Sequence, residues 1–209
     1  MPTWNPWQGC HRHSEGCKCC YIHKGDHKRG IDTDNIVETD NLYAPVAKDR
    51  SGAYRTKPGQ DVGTSCTFIF LTKRIERFMD CIPADWGDGY DKVTVGCTIK
   101  NQDRADYRLS IFKGLPIRHK NIICQPLIEG IDLSAYPDNV ELVVVGGESV
   151  RNAKLLDYEW VLAIREQCVS HNVRFEFRQC GTHFVKDGKA YTLNVRNLCN
   201  QARKANIDF

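Results

Sequence analysis

Five short runs after residue 66 do most to limit what this chain can fold into: "CTFIFLTKR", "KVTVGCTIKN", "KNIICQP", "ELVVVGGES" and "VRFEFRQCG". Each has a core of about four to six residues rich in Val, Ile and Phe, which is the pattern of a buried strand. Helical patterns lie between them. Ile75, Phe78, Met79 and Ile82 recur at i, i+3, i+4 and i+7 until Pro83 stops them. Ala105, Leu109 and Phe112 form a second stripe, closed by Gly114 and Pro116. Asp157 is placed to cap a third helix, with Trp160, Val161, Ile164 and Cys168 on its buried face. Strand and helix in alternation require right-handed crossovers and a mostly parallel sheet. The expected fold is therefore a single α/β domain over residues 1–209. Its strands would close as a TIM-like (β/α) barrel or partial barrel, with an open doubly wound sheet as the alternative.

In parallel α/β folds, ligands gather where the strands end, because loops and helix N-termini converge there. Those ends read Thr72, Lys73 and Arg74; Thr98, Lys100 and Asn101; Gln125; Gly146, Gly147, Glu148 and Ser149; Arg178 and Gln179. Every one of them is polar or glycine. Lys73, Arg74, Asn101, Gln125, Glu148 and Gln179 are the candidates to line a cofactor or substrate pocket, although a plain structural rim would also be polar.

Two regions flank the repeated units of residues 66–180. Residues 181–209 contain "FVKDGKAYT", a hairpin with Asp187-Gly188 at its turn, and then a short helix in "NQARKANIDF". Residues 31–65 are irregular and polar. Before them, residues 1–30 hold four of the 11 cysteines and four of the seven histidines. Cys10, Cys17 and Cys20 have the spacing C-x6-C-x2-C, with Cys19 additional. Three thiolates can hold a 4Fe–4S cluster and leave one iron open to a substrate or cofactor. A closed zinc site would take its fourth ligand from Cys19, His23 or His27. The adjacency of Cys19 and Cys20 makes joint binding of one small ion awkward, and no second Cys or His pair follows at zinc-finger spacing.

Composition narrows the setting. The net charge is only +3, too small for a dedicated nucleic-acid binder. Residues 1–30 carry five basic against two acidic side chains, so the basic excess sits beside the cysteines. That suits an anionic substrate such as a nucleotide or nucleic acid as well as a solvated loop. An odd number of cysteines and no secretory h-region point to a reducing, cytoplasmic setting. The apolar runs are too short to cross a bilayer. Cys66, Cys81, Cys97, Cys124 and Cys168 stand alone in apolar segments and are expected to be small buried hydrophobes.

The blocks "TWNPWQGC…SEGCKCCY", "LTKRIERF", "CTIKNQDRADYR", "QPLIEGIDL", "VVVGGES" and "YEWVLAIREQC…VRFEFRQCG" together resemble the phage-associated three-cysteine-motif proteins. That family is similar to radical S-adenosylmethionine enzymes. The resemblance implies that Cys10, Cys17 and Cys20 ligate a 4Fe–4S cluster. It implies that S-adenosylmethionine binds the open iron and is cleaved reductively to a 5′-deoxyadenosyl radical. The pattern departs from those enzymes in three places. The first cysteine gap is six residues rather than three. "GGES" ends a late strand rather than the second. The stretch "GQDVGTSCTFIFLTKR" leaves no room for a strand–helix unit that family members carry before "LTKR".

Overall fold

The structure is a computed structural model that describes residues 7–13, 17, 20–41, 43, 44, 47–53, 55 and 67–209. Cys19 and the whole of "GQDVGTSC", which ends at Cys66, lie outside the described residues, and so do the expectations attached to them. The chain divides into two compact units, residues 1–68 and 69–209.

In the first unit, β1 (Trp7–Gln8) pairs antiparallel with β2 (Val37–Glu38). Between them runs α1 (Tyr21–Lys28). Two polar residues of α1 are buried: His23 is 7% and Asp26 1% exposed, one helical turn apart on the same face. Asp26 Oδ1 accepts a charged hydrogen bond from Arg29 at 2.5 Å. The Ile31 N–H caps the Asp26 carbonyl at 3.0 Å.

The second unit is built on a five-stranded sheet in the order β3 (Phe68–Thr72), β4 (Val93–Ile99), β5 (His119–Cys124), β6 (Val140–Gly146), β8 (Arg174–Gln179). These are the five strands that the apolar runs predict, and β4, β5, β6 and β8 pair in parallel. The order follows the sequence without reversal, so it contains no switch point of the doubly wound kind. The five strands do not close on themselves.

Helices α3 (Gln102–Gly114) and α4 (Tyr158–Ser170) supply the crossovers. Asn101 Oδ1 accepts the Arg104 N–H at 3.3 Å, and Asp157 Oδ1 accepts the Glu159 N–H at 3.0 Å; these bonds start the two helices. Ala105, Leu109 and Phe112 of α3 and Val161, Ile164 and Cys168 of α4 pack in one core cluster. That cluster also takes in Val95, Cys97, Ile99, Ile122, Cys124, Val143, Val145, Phe175 and Phe177, which are one set of alternate strand residues. Burial of a Leu or Phe side chain there contributes about 1.5–3 kcal/mol. Arg108, 1% exposed, reaches from α3 to donate to the Thr98 carbonyl at 2.6 Å.

Three local expectations need correction. The Ile75–Ile82 stripe forms a 3-10 turn at Ile75–Arg77 and then only a single turn, α2 (Phe78–Cys81). Ile75 is fully buried, whereas Met79 is 54% exposed and faces solvent. Cys81 is exposed rather than buried, because that short turn has no second apolar face to cover it. Trp160 is half-buried and packs on the core from outside, while Tyr158 takes a fully buried place.

A second sheet joins β7 (Leu156–Asp157), β9 (His183–Lys186) and β10 (Lys189–Thr192) in the order β10-β9-β7. Asp187 and Gly188 turn the β9–β10 hairpin with φ of 52° and 70°, as a type I′ turn requires. Helix α5 (Leu198–Ala205) follows, burying Leu198 and Ala202. The last residues then cover the outer edge of β8. Phe175 and Phe209 exchange backbone bonds of 2.7 and 3.0 Å, and Asp208 Oδ1 accepts the Phe177 N–H at 2.8 Å. A strand edge left open would invite pairing with other chains.

Candidate functional site

In the first unit the backbone sets the positions of the cysteines. Gly9 has φ +98°, and a Cβ there would stand 2.4 Å from the Asn35 carbonyl oxygen, so only glycine fits. The next residue, Cys10, donates its N–H to the Thr33 carbonyl at 2.7 Å. His11 Nε2 lies 2.8 Å from the Asp34 carbonyl. The Cys20 N–H bonds to the Cys17 carbonyl at 3.2 Å, which holds these two thiols on one turn at the start of α1. Cys17 is buried, while Cys10 and Cys20 are half-exposed. His23 is buried. Its Nε2 and Asp26 Oδ2 have no hydrogen-bond partner among the described residues. His27 is exposed.

Three thiols are a donor set that suits iron–sulfur or zinc chemistry. Among the described residues, however, no group of three or more His, Cys, Asp or Glu is arranged to hold a metal ion. The fit is one of chemistry and of the Cys17–Cys20 turn, not of an assembled coordination shell.

In the second unit, the strand-end residues have distinct structural duties. Asn101 is spent on the α3 cap. Gln125 precedes a cis bond to Pro126 and lays its side chain over Gly146, where a Cβ would meet it at 3.0 Å. Gln179 Nε2 donates to the Gly147 carbonyl at 2.6 Å, and the Gly147 N–H returns to the Gln179 carbonyl at 3.2 Å. Glu148 Oε2 accepts the Lys154 N–H at 2.7 Å, and its carbonyl accepts the Thr182 N–H at 2.9 Å. Gln125, Glu148 and Gln179 thus meet around the end of β6. Lys73 is half-buried at the end of β3, and Arg74 is exposed there, with Glu76 as its ion-pair partner at 3.4 Å. No hydrogen bond or ion pair ties Lys73 or Arg74 to the β6 group among the described residues.

The strand-end reading named Thr98 and Lys100 but missed Thr94 and Asn121, which lie inside the sheet. On β4, Thr94, Gly96 and Thr98 alternate with the core residues, and Lys100 continues that alternation. Asn121 is paired with Gly96, Ile123 with Thr98, and Glu176 with Val144, so all share the face opposite the core cluster. Thr94, Thr98, Lys100 and Asn121 are each less than 9% exposed. Asn121 Oδ1 is buried with no partner among the described residues. Glu176 and Arg178 form a two-pronged ion pair with both contacts at 3.0 Å. The signal was present: "TVGCTIK" alternates polar with apolar, and Asn121 interrupts "KNIIC".

Four buried thiols of this unit are kept protonated. Burial pushes Cys97 and Cys168 up to about 12 and Cys180 up to about 11 from the usual 9.0. Cys124 is raised by full burial and by the neighbouring Cys168 and Cys97. Such thiols are neither nucleophiles nor metal ligands at neutral pH. No helix among the described residues is long and apolar enough to cross a membrane.

No curated protein and no solved structure matches the chain. A family model does match, over residues 61–206, which span all five strands of the main sheet and leave the cysteine loop outside. The chain belongs to that family, described as Protein of unknown function (DUF5131).

Proposed function

We propose that this chain is a radical S-adenosylmethionine-type iron–sulfur enzyme of the phage-associated three-cysteine-motif kind, with a partial barrel as its scaffold. Cys10, Cys17 and Cys20 hold the cluster, and the reaction modifies a nucleotide or nucleic-acid substrate in the cytoplasm. When bound, such a cluster supplies the electron that cleaves S-adenosylmethionine.

The observation that carries this reading is the division of the main sheet into two faces. One face is apolar and covered by α3 and α4. The other buries Thr94, Thr98, Lys100 and Asn121, a composition costly for a core and suited to a ligand. Strands in sequential order with helices on one side wind in the manner of a barrel, whose inner face is the one left to side chains and ligands. Asn121 Oδ1 accepts an N–H from the bound molecule and so recovers its missing hydrogen bond. Gln125, Glu148 and Gln179 border this face at the strand ends. Lys73, Arg74 and Asn101 complete the rim.

The test is reduction of the iron- and sulfide-loaded protein without oxygen, in the presence of S-adenosylmethionine, with methionine release as the readout. Release is expected from the native chain and not from Cys20→Ala. A fully loaded native protein that releases no more methionine than Cys20→Ala overturns the proposal.

A zinc-holding, non-catalytic module that binds nucleic acid is the second reading. It is favoured by His23, buried one turn from Cys20 with Nε2 unpartnered among the described residues. Zinc without iron or sulfide in the purified protein selects it.

A further inference from the structure

On the helix-covered side of β8, the β9–β10 hairpin and α5 border a cavity of about 230 Å³. Three aromatic rings form its floor. Tyr158 meets Phe184 nearly edge-on, with centroids 5.8 Å apart, and Phe177 at 6.2 Å. All three are less than 9% exposed. The mouth is different in character, with Lys186, Lys204 and the 43%-exposed Tyr191 around it. Lys186 Nζ stands 5.1 Å over the Tyr158 ring. Neither lysine has an ion-pair partner among the described residues, and α5 contains no acidic side chain. Uncompensated positive charge therefore lies beside an aromatic hollow.

We propose that this cavity binds a small planar aromatic ring bearing a phosphate or carboxylate. The ring enters among Tyr158, Phe177 and Phe184, where aromatic faces favour offset or edge contacts. The anionic group stays at the mouth between Lys186 and Lys204. Sites for drug-sized ligands occupy about 300–1,000 Å³, so this hollow takes one ring system and not a dinucleotide. It is separate from the polar sheet face, because Phe177 belongs to the opposite set of β8 residues. The proposal stands whether or not the chain holds a cluster.

The experiment is titration of the full chain with phenyl phosphate, followed by ligand-observed NMR or calorimetry. Phenol and inorganic phosphate serve as the two halves of the probe, and adenosine 5′-monophosphate as the nucleotide arm. Phenyl phosphate is expected to bind saturably and roughly ten-fold more tightly than either half. The double change Lys186→Gln, Lys204→Gln, on two exposed side chains, is expected to remove about ten-fold of that affinity while leaving the circular dichroism unchanged. Nucleotide binding equal to that of phenyl phosphate identifies a nucleotide ligand. Binding of phenyl phosphate alone identifies a single-ring anion, and both results uphold the site. Equal affinity for inorganic phosphate, insensitivity to the lysine changes, or no saturable binding at millimolar concentration overturns it.

Discussion

Gly147→Ala should be among the most damaging single-methyl additions in the second unit, and its cost can be worked from the geometry. A Cβ at residue 147 would stand 2.4 Å from Gly181 Cα, 2.5 Å from Gly181 N and 3.1 Å from Leu156 Cδ2. Two of these neighbours are backbone, and Leu156 is fully buried, so nothing nearby can swing aside. The loop after β6 and the residues after β8 must part. That movement strains the 2.6 and 3.2 Å bonds between Gly147 and Gln179. Overpacking costs about 1–3 kcal/mol, and each hydrogen bond lost adds about 0.5–1.5 kcal/mol. A loss of about 2–6 kcal/mol corresponds to a melting temperature lower by roughly 4–24 °C for a chain of this size. Gly146→Ala is the matched control: its Cβ meets the Gln125 side chain at 3.0–3.2 Å, and a side chain can move, so the cost stays below about 1 kcal/mol. Gly114→Ala, at the end of α3 with nothing within 4 Å, should stabilise by up to about 0.5–1 kcal/mol. Calorimetry or urea titration of the three variants decides the matter. A Gly147→Ala protein as stable as Gly146→Ala would refute the close-approach argument. It would also free the glycine pair for a direct ligand role.

Asp157→Ala and Asn101→Ala should each cost about 1 kcal/mol through loss of a helix cap, read from urea midpoints. Cys81 and Cys199 should react with a thiol reagent in the native protein, whereas Cys97, Cys124, Cys168 and Cys180 should react only on unfolding. The unfolded chain releases its thiol protons near 9, while folded Cys97 and Cys168 keep theirs to about 12 and Cys180 to about 11. Above pH 9 the unfolded state therefore binds fewer protons, and stability should fall as pH rises through that window. A urea midpoint no lower at about pH 10 than at about pH 8 would contradict the burial of these thiols. Cys17→Ala should abolish metal loading, whereas Cys19→Ala should leave most of it. Equal loss from both changes counts against three ligands.

Local pattern carried much of the second unit because its elements obey local rules. The five apolar runs are strands, α3 and α4 begin at polar caps, and Asp187-Gly188 turns a hairpin. The Ile75–Ile82 stripe misled because periodicity says which residues could share a face, not whether a partner covers it; Met79 has none. The pairing of Phe209 with Phe175 joins residues far apart in sequence and leaves no trace in either. The polar sheet face was legible in "TVGCTIK" but hidden in part by attention to strand ends, since Thr94 and Asn121 sit within strands that read as apolar. For the cysteine loop the donor types and the Cys17–Cys20 turn are visible, and the spatial closing of the set is not a property of spacing.

The most direct test of the central claim is metal and acid-labile sulfide analysis of protein purified without oxygen, with its visible spectrum before and after S-adenosylmethionine is added. Iron and sulfide at about four each per chain, with a spectrum that responds to S-adenosylmethionine, is the expected result. Zinc in place of iron, or a cluster whose spectrum ignores S-adenosylmethionine, would contradict it.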